Sequence, residues 1–113
     1  MRNLYEETIK QLTANGKTLD DIAAVQGEDF AISIDEFIEL SKQLDYDSGF
    51  GAAHVATDLV IIGDDWWMER GEYDGSEWWE FRRAPKPIQE IRSVTALGGR
   101  SEMWPRLDTF LVE

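Results

Sequence analysis

The sequence has no cysteine, a single histidine and no long apolar run. Without cysteine there is neither a disulfide nor a thiolate zinc site, and the covalent staple that small secreted domains rely on is missing. With His54 alone, a histidine metal cluster cannot be assembled. There is no Gly-x-Ser-x-Gly elbow, P-loop or dinucleotide fingerprint either. The longest apolar run, Leu59-Val60-Ile61-Ile62, falls far short of the ~20 residues of a membrane span and suits a strand. The opening Met-Arg-Asn-Leu-Tyr-Glu-Glu lacks the apolar region of a signal peptide, so a cytosolic protein is expected.

Positive charge is also scarce. Against 23 acidic side chains there are 11 basic ones, for a net charge of −12. The imbalance is local: residues 1–81 carry 19 acidic and 5 basic side chains, net −14, whereas residues 82–113 carry 4 and 6, net +2. Such a charge repels phosphate backbones, so no direct nucleic-acid binding is expected and a basic protein surface is the natural partner. Acidity that merely keeps the chain soluble is the plainer account.

What remains is a chain of 113 residues, 42% hydrophobic and 12% aromatic, enough for one domain with a single core. Asn3 with Glu6 has the form of a capping box. Leu4, Thr8, Ile9 and Leu12 follow at helical spacing and Asn15-Gly16 supplies a stop, predicting a helix over about 4–14. Thr18 with Asp21 repeats the cap. Ile22 to Gln26 and Phe30 to Ser33, flanking Gly27-Glu28-Asp29, read as a short hairpin in preference to a short helix and strand. Ser33 and Glu36 cap a second helix reaching about Leu44, whose inward stripe is Ile34, Phe37, Ile38, Ser41 and Leu44.

Asp45 to His54 is rich in turn formers. Asp45-x-Asp47-x-Gly49 has the start of a calcium loop, but Phe50 and Ala56 stand where that loop needs glycine and a bidentate glutamate. Leu59–Arg70 and Glu77–Arg83 read as two strands, the second ended by Pro85 and Pro87. Residues 90–97 and Thr109–Val112 read as further strands about a Gly98-Gly99 turn. The expected fold is α+β: two N-terminal helices on a small antiparallel sheet, with a central tryptophan-rich hairpin over about 58–83, in a single domain spanning 1–113.

That hairpin, DDWWMERGEYDGSEWWEF at 64–81, holds four of the five tryptophans. Asp-Gly between β-forming runs is a strong hairpin signal, and a two- or four-residue loop pairs Tyr73 with Ser76. Alternation then splits each Trp pair. One face carries Val60, Ile62, Trp66, Met68 and Arg70 opposite Trp79, Phe81 and Arg83. Met68 would pair with Phe81 there, and Arg70 would lie across Trp79. Phe37, Ile62 and Phe81 are expected in the core.

The other face carries Trp67, Glu69, Gly71 and Tyr73 opposite Ser76, Trp78, Glu80 and Arg82. Half aromatic and half charged, it does not suit complete burial. Either the C-terminal strand or the Asp45–His54 loop covers it, with charges at the rim, or Trp67, Tyr73 and Trp78 form an interaction patch ringed by Glu69, Asp74 and Glu80.

The same run, with LDYDSGFG before it and a proline soon after, resembles a group of small uncharacterised proteins from bacteriophages and prophages over about residues 45–87. The resemblance implies an accessory phage gene product acting inside the host cell and carries no catalytic residue. Carboxylate pairs such as Asp64-Asp65 or Glu69 with Glu80 arise readily among so many acids, and His54 reads as structural or solvated. The expectation is therefore a non-enzymatic binding protein with no cofactor and no metal, acting on a host or phage protein as an inhibitor or nucleic-acid mimic. Its binding residues would be Trp67, Glu69, Tyr73, Asp74, Trp78 and Glu80. The alternative is a small-ligand-binding or sequestering protein with an aromatic pocket on the hairpin.

Overall fold

The computed structural model describes residues 1–47, 49, 51–99 and 103–112. The first helix, α1 (Leu4–Ala14), follows a two-residue strand, β1 (Arg2–Asn3). Asn3 caps it: its side-chain oxygen accepts from the Glu6 backbone N–H at 3.1 Å, and Glu6 and Glu7 sit in the first turn where the helix dipole favours acids. Leu4, Thr8 and Leu12, each four residues from the next, are buried. Gly16 ends the helix at φ 72°, a backbone that glycine adopts without strain.

Thr18 and Asp21 bracket a 3-10 turn, the Thr18 N–H donating to the Asp21 carboxylate at 2.8 Å. The expected hairpin follows as β2 (Ala24–Gln26) and β3 (Ala31–Ile32), paired antiparallel. The second helix, α2 (Ile34–Lys42), is capped by Ser33, whose hydroxyl accepts from the Glu36 N–H at 3.0 Å. Phe37 and Ser41 are buried, with Ile34, Ile38 and Leu44 against the core.

Asp45-Tyr46, read from sequence as the start of an irregular turn, is instead a strand, β4, paired with β1. Asn3 fixes it by donating to the Asp45 carboxylate at 2.8 Å and to the Lys42 carbonyl at 3.1 Å. Ser48 and Phe50 of the turn-rich segment lie outside the described residues.

The main sheet contains β5 (Val60–Ile62), β6 (Trp66–Tyr73) and β7 (Ser76–Arg83), in the antiparallel order β3-β2-β5-β6-β7. The expected single strand over 59–70 is broken. Asp64-Asp65 make a two-residue turn, closed by the Gly63 N–H donating to the Trp66 carbonyl at 2.8 Å, and Ile61 pairs with Met68. Gly63 permits this because a Cβ there would lie 2.0 Å from the Trp66 indole. The reversal changes the parity of the first half: Ile61 takes the core position, and Val60 and Ile62, expected on the core face, are only partly buried.

The β6–β7 register is the expected one, with Met68 opposite Phe81, Arg70 opposite Trp79 and Tyr73 opposite Ser76. Asp74 and Gly75 at the turn have φ of 51° and 84°, the positive pair a tight twisted hairpin requires.

α1 lies against β7 and α2 against β2, and the helices touch one another. Between helices and sheet sit Leu4, Leu12, Val25, Phe37, Ile61, Trp66, Met68 and Trp79, all buried. The Trp79 indole N–H, deep in this core, donates to the Thr8 hydroxyl at 2.9 Å. Phe81 belongs to the core's rim rather than its centre. It is partly exposed, stacks on Trp66 at 5.2 Å and carries the Arg83 guanidinium 5.5 Å from its ring centre.

The C-terminal segment departs most from expectation. Residues 90–97 and Thr109–Val112 do not form strands. A bridge joins Val94 to Leu111, and Leu107–Phe110 is a 3-10 helix. Three prolines, Pro85, Pro87 and Pro105, take amide donors from this stretch. What holds it is the bridge region, where the Thr95 N–H donates to the Phe110 carbonyl at 2.8 Å and the Val112 N–H to the Ser93 carbonyl at 3.1 Å. The molecule is elongated, with extents of 57 × 32 × 27 Å and a radius of gyration of 18.6 Å. A compact chain of this length would have about 13 Å.

Candidate interaction surface

The hairpin presents its second face as a bonded row. The Trp67 indole N–H donates to Glu69 at 3.1 Å, and that of Trp78 to Glu80 at 3.2 Å. Glu69 and Glu80 stand directly opposite each other across the strands, an arrangement that would repel on its own. Arg82 relieves it by donating to Glu69 at 2.7 Å and to Glu80 at 2.6 Å. The Arg82 guanidinium, aided by the Trp67 indole, holds the Glu69 carboxyl below its usual range, and Glu69 raises Arg82 in turn.

Both indoles are partly exposed. Trp78 lies over Gly71, where a Cβ would come within 2.6 Å of its indole nitrogen. Glycine at that position lets a bulky ring lie flat against the backbone of the neighbouring strand. Four of the six expected binding residues, Trp67, Glu69, Trp78 and Glu80, are therefore joined through Arg82. Tyr73 and Asp74 stand apart from that row at the hairpin tip, both exposed. The C-terminal strand that could have covered this face is not formed.

The opposite face holds a cluster that sequence reasoning missed. The Arg70 side chain is buried, and its guanidinium donates to Glu7 at 3.1 Å, to Glu77 at 3.1 Å and to the Tyr46 hydroxyl at 3.2 Å. It also lies 4.7 Å from the centre of the Trp79 ring, as expected. The Tyr46 hydroxyl donates to the second Glu7 oxygen. Glu77, also buried, accepts from the backbone N–H groups of His54 at 2.8 Å and Val55 at 3.1 Å. Arg2 donates to the Glu77 carbonyl at 3.0 Å. Alternation carried the clue: Glu77 shares the inward face with Arg70 and Trp79, so an acid and a base were due to meet there.

Burial pushes the Glu77 carboxyl up, but the two backbone donors and Arg70 more than offset it and hold the group below its usual value. Burial raises the Tyr46 phenol, and its bond to Glu7 adds to the rise against the lowering pull of Arg70. Because Glu77 is depressed in the folded state, its stabilisation is fully present above the unfolded value of about 4.3 and disappears as pH falls through the lower folded value. Glu77→Gln should therefore flatten the acid side of the stability profile. Urea melts of wild type and variant at neutral and strongly acid pH check this: the gap between them should be wide at neutral pH and narrow in acid.

His54 enters this cluster only through its backbone; its exposed ring lies 6.2 Å from that of Tyr46. Among the described residues no group of three or more His, Cys, Asp or Glu could hold a metal ion, and no helix is long and apolar enough to cross a membrane. Comparisons with family models, with curated proteins and with solved structures find no match to this chain.

Proposed function

We propose that the protein is a non-enzymatic binding protein of the accessory type encoded by bacteriophages. In this reading it acts in the host-cell cytoplasm on a basic surface of a host or phage protein, as an inhibitor or nucleic-acid mimic. The observation that carries the reading is the outer hairpin row, in which Trp67 and Trp78 are held by Glu69, Glu80 and Arg82 with their rings still partly exposed. Rings fixed before contact lose little conformational freedom on binding, which is what makes a good anchor. The net charge of −14 over residues 1–81 would speed encounter with a cationic partner and make the complex sensitive to salt. Tyr73 and Asp74 extend the contact at the tip.

Affinity capture from host lysate at low salt, with wild type and the Trp67→Ala/Trp78→Ala double variant as baits, tests this. Wild type should retain a protein that is released by added salt, and the double variant should lose it by about thirtyfold or more in affinity. Identical capture by both baits would remove the hairpin face from the function.

A further inference from the structure

The five-stranded sheet ends in β3, two residues long, and β7, eight residues long. A long strand at a sheet edge offers a row of unbonded backbone groups to another chain. In an antiparallel ladder alternate residues bond to alternate sides. The Ala84 N–H donates to the Asp65 carbonyl at 2.8 Å, so the even-numbered residues of β7 bond to β6 and the odd-numbered ones turn their N–H and C=O groups outward. At one end the Glu77 carbonyl already accepts from Arg2. At the other, Pro85 has no N–H to offer. Between these stops lie Trp79, Phe81 and Arg83, whose outward backbone groups meet no partner among the described residues. Residues 84–93 are exposed throughout and so do not fold back over the edge. A cleft of about 420 Å³ is lined by Trp78 and Trp79 together with Arg2, Glu6 and Lys10. Those two tryptophans point to opposite faces of the sheet, so a cleft touching both runs along the strand's edge.

We infer that two copies join along β7, antiparallel about a two-fold axis through Phe81, so that their sheets run on into one. One symmetric register suits this edge. With the axis at Phe81, Trp79 pairs with Arg83 of the second copy, Phe81 with its own equivalent and Arg83 with Trp79, and all three outward residues are bonded. An axis at Glu80 would set Glu80 against Glu80 and call on the Glu77 carbonyl that Arg2 holds. An axis at Arg82 would set Arg82 against Arg82 and pair Trp79 with Pro85. Like charges placed directly opposite repel; with the axis at Phe81, Glu80 lies opposite Arg82 instead. That axis is perpendicular to the sheet, so both copies keep their helices on the same side. Arg83 of one copy then comes beside Trp79 of the other, at the cleft that Glu6 lines. Arg83 and Glu6 are both exposed, opposite in charge, and without an ion-pair partner among the described residues. The Phe81 rings, partly exposed in one copy alone, meet at the axis.

Sedimentation equilibrium on the full chain, from low to high micromolar concentration, should find a dimer. Amide hydrogen exchange reads the seam itself. Phe81 and Arg83 should exchange slowly in concentrated protein and fast in dilute, while Glu80 and Arg82, bonded to β6, stay protected in both. Arg83→Pro removes an outward donor without touching the ladder to β6 and should weaken association about a hundredfold. Arg83→Glu sets like charge against Glu6, should weaken it to a similar extent of about a hundredfold, and serves should the proline variant misfold. Adding Glu6→Arg to Arg83→Glu restores an opposite pair and should recover most of the affinity. Four results would each overturn the seam: a wild type monomeric throughout, a dimer indifferent to both Arg83 variants, amides at 81 and 83 that ignore concentration, or a charge swap that recovers nothing. None of these variants alters Trp67 or Trp78, so the capture experiment stands or falls separately.

Discussion

Trp79→Ala should cost about 3–5 kcal/mol of folding stability, whereas Trp78→Ala, one residue away, should cost about 1 kcal/mol. Trp79 is buried among the core side chains, and its indole N–H is bonded to Thr8 on α1. Truncation leaves a cavity the size of an indole and strips a buried hydroxyl of its donor. Trp78 faces the other way, partly exposed over Gly71. Trp66→Ala should resemble Trp79→Ala, and Trp67→Ala should resemble Trp78→Ala. Against a total stability of about 5–15 kcal/mol for a domain this size, the inward substitutions should lower the melting temperature drastically. Paired thermal melts decide it. Four similar losses would mean that both faces of the hairpin are core, leaving no anchors for a partner.

Glu77→Ala is the second large effect, at about 3–5 kcal/mol, because it leaves Arg70 buried with one counter-charge fewer. It also releases the backbone N–H groups of His54 and Val55, which the carboxylate now accepts. The loss should exceed that of any exposed acid, such as Glu72→Ala on the same strand pair. Removing both charges, as Arg70→Met with Glu77→Leu, should recover part of the loss, since no orphaned guanidinium then remains. A chemical-denaturation series on the single and double variants supplies the comparison. If the double variant falls by the sum of the two singles, Arg70 and Glu77 do not act as a pair.

These effects trace back to features of unequal legibility in the sequence. Asp74-Gly75 is a local signal with one geometry, so it set the register of β6 and β7 and divided Trp66 from Trp67 and Trp78 from Trp79. The caps at Asn3 and Ser33 are local in the same way. Gly63-Asp64-Asp65 was just as local, but it lay inside an apolar run that reads equally well as one strand. The collision between a Gly63 Cβ and the Trp66 ring exists only once the chain has turned.

Strands at 90–97 and 109–112 were harder still. A β-forming stretch becomes a strand when a neighbouring edge accepts it, and that neighbour is a matter of tertiary structure. The Glu77–Arg70–Glu7–Tyr46 cluster draws on α1, β4, β6 and β7, so only its Arg70–Glu77 half was open to a reading along the hairpin.

The tight Asp74-Gly75 turn also has a bearing on how the chain folds. β6 and β7 need close only a two-residue loop, and hairpins of that kind form in about 1–10 μs. Pairing β2 with β5 must first bring together residues 24–26 and 60–62, and joining β1 to β4 spans a similar stretch of chain. Contacts across such separations carry a loop-closure cost before they return any stabilisation. The hairpin is thus the natural nucleus, and substitutions at its turn should slow folding. Those in the β1–β4 pair should mainly speed unfolding. Four of the five tryptophans lie in that nucleus, so intrinsic fluorescence reports the earliest structured event rather than the last.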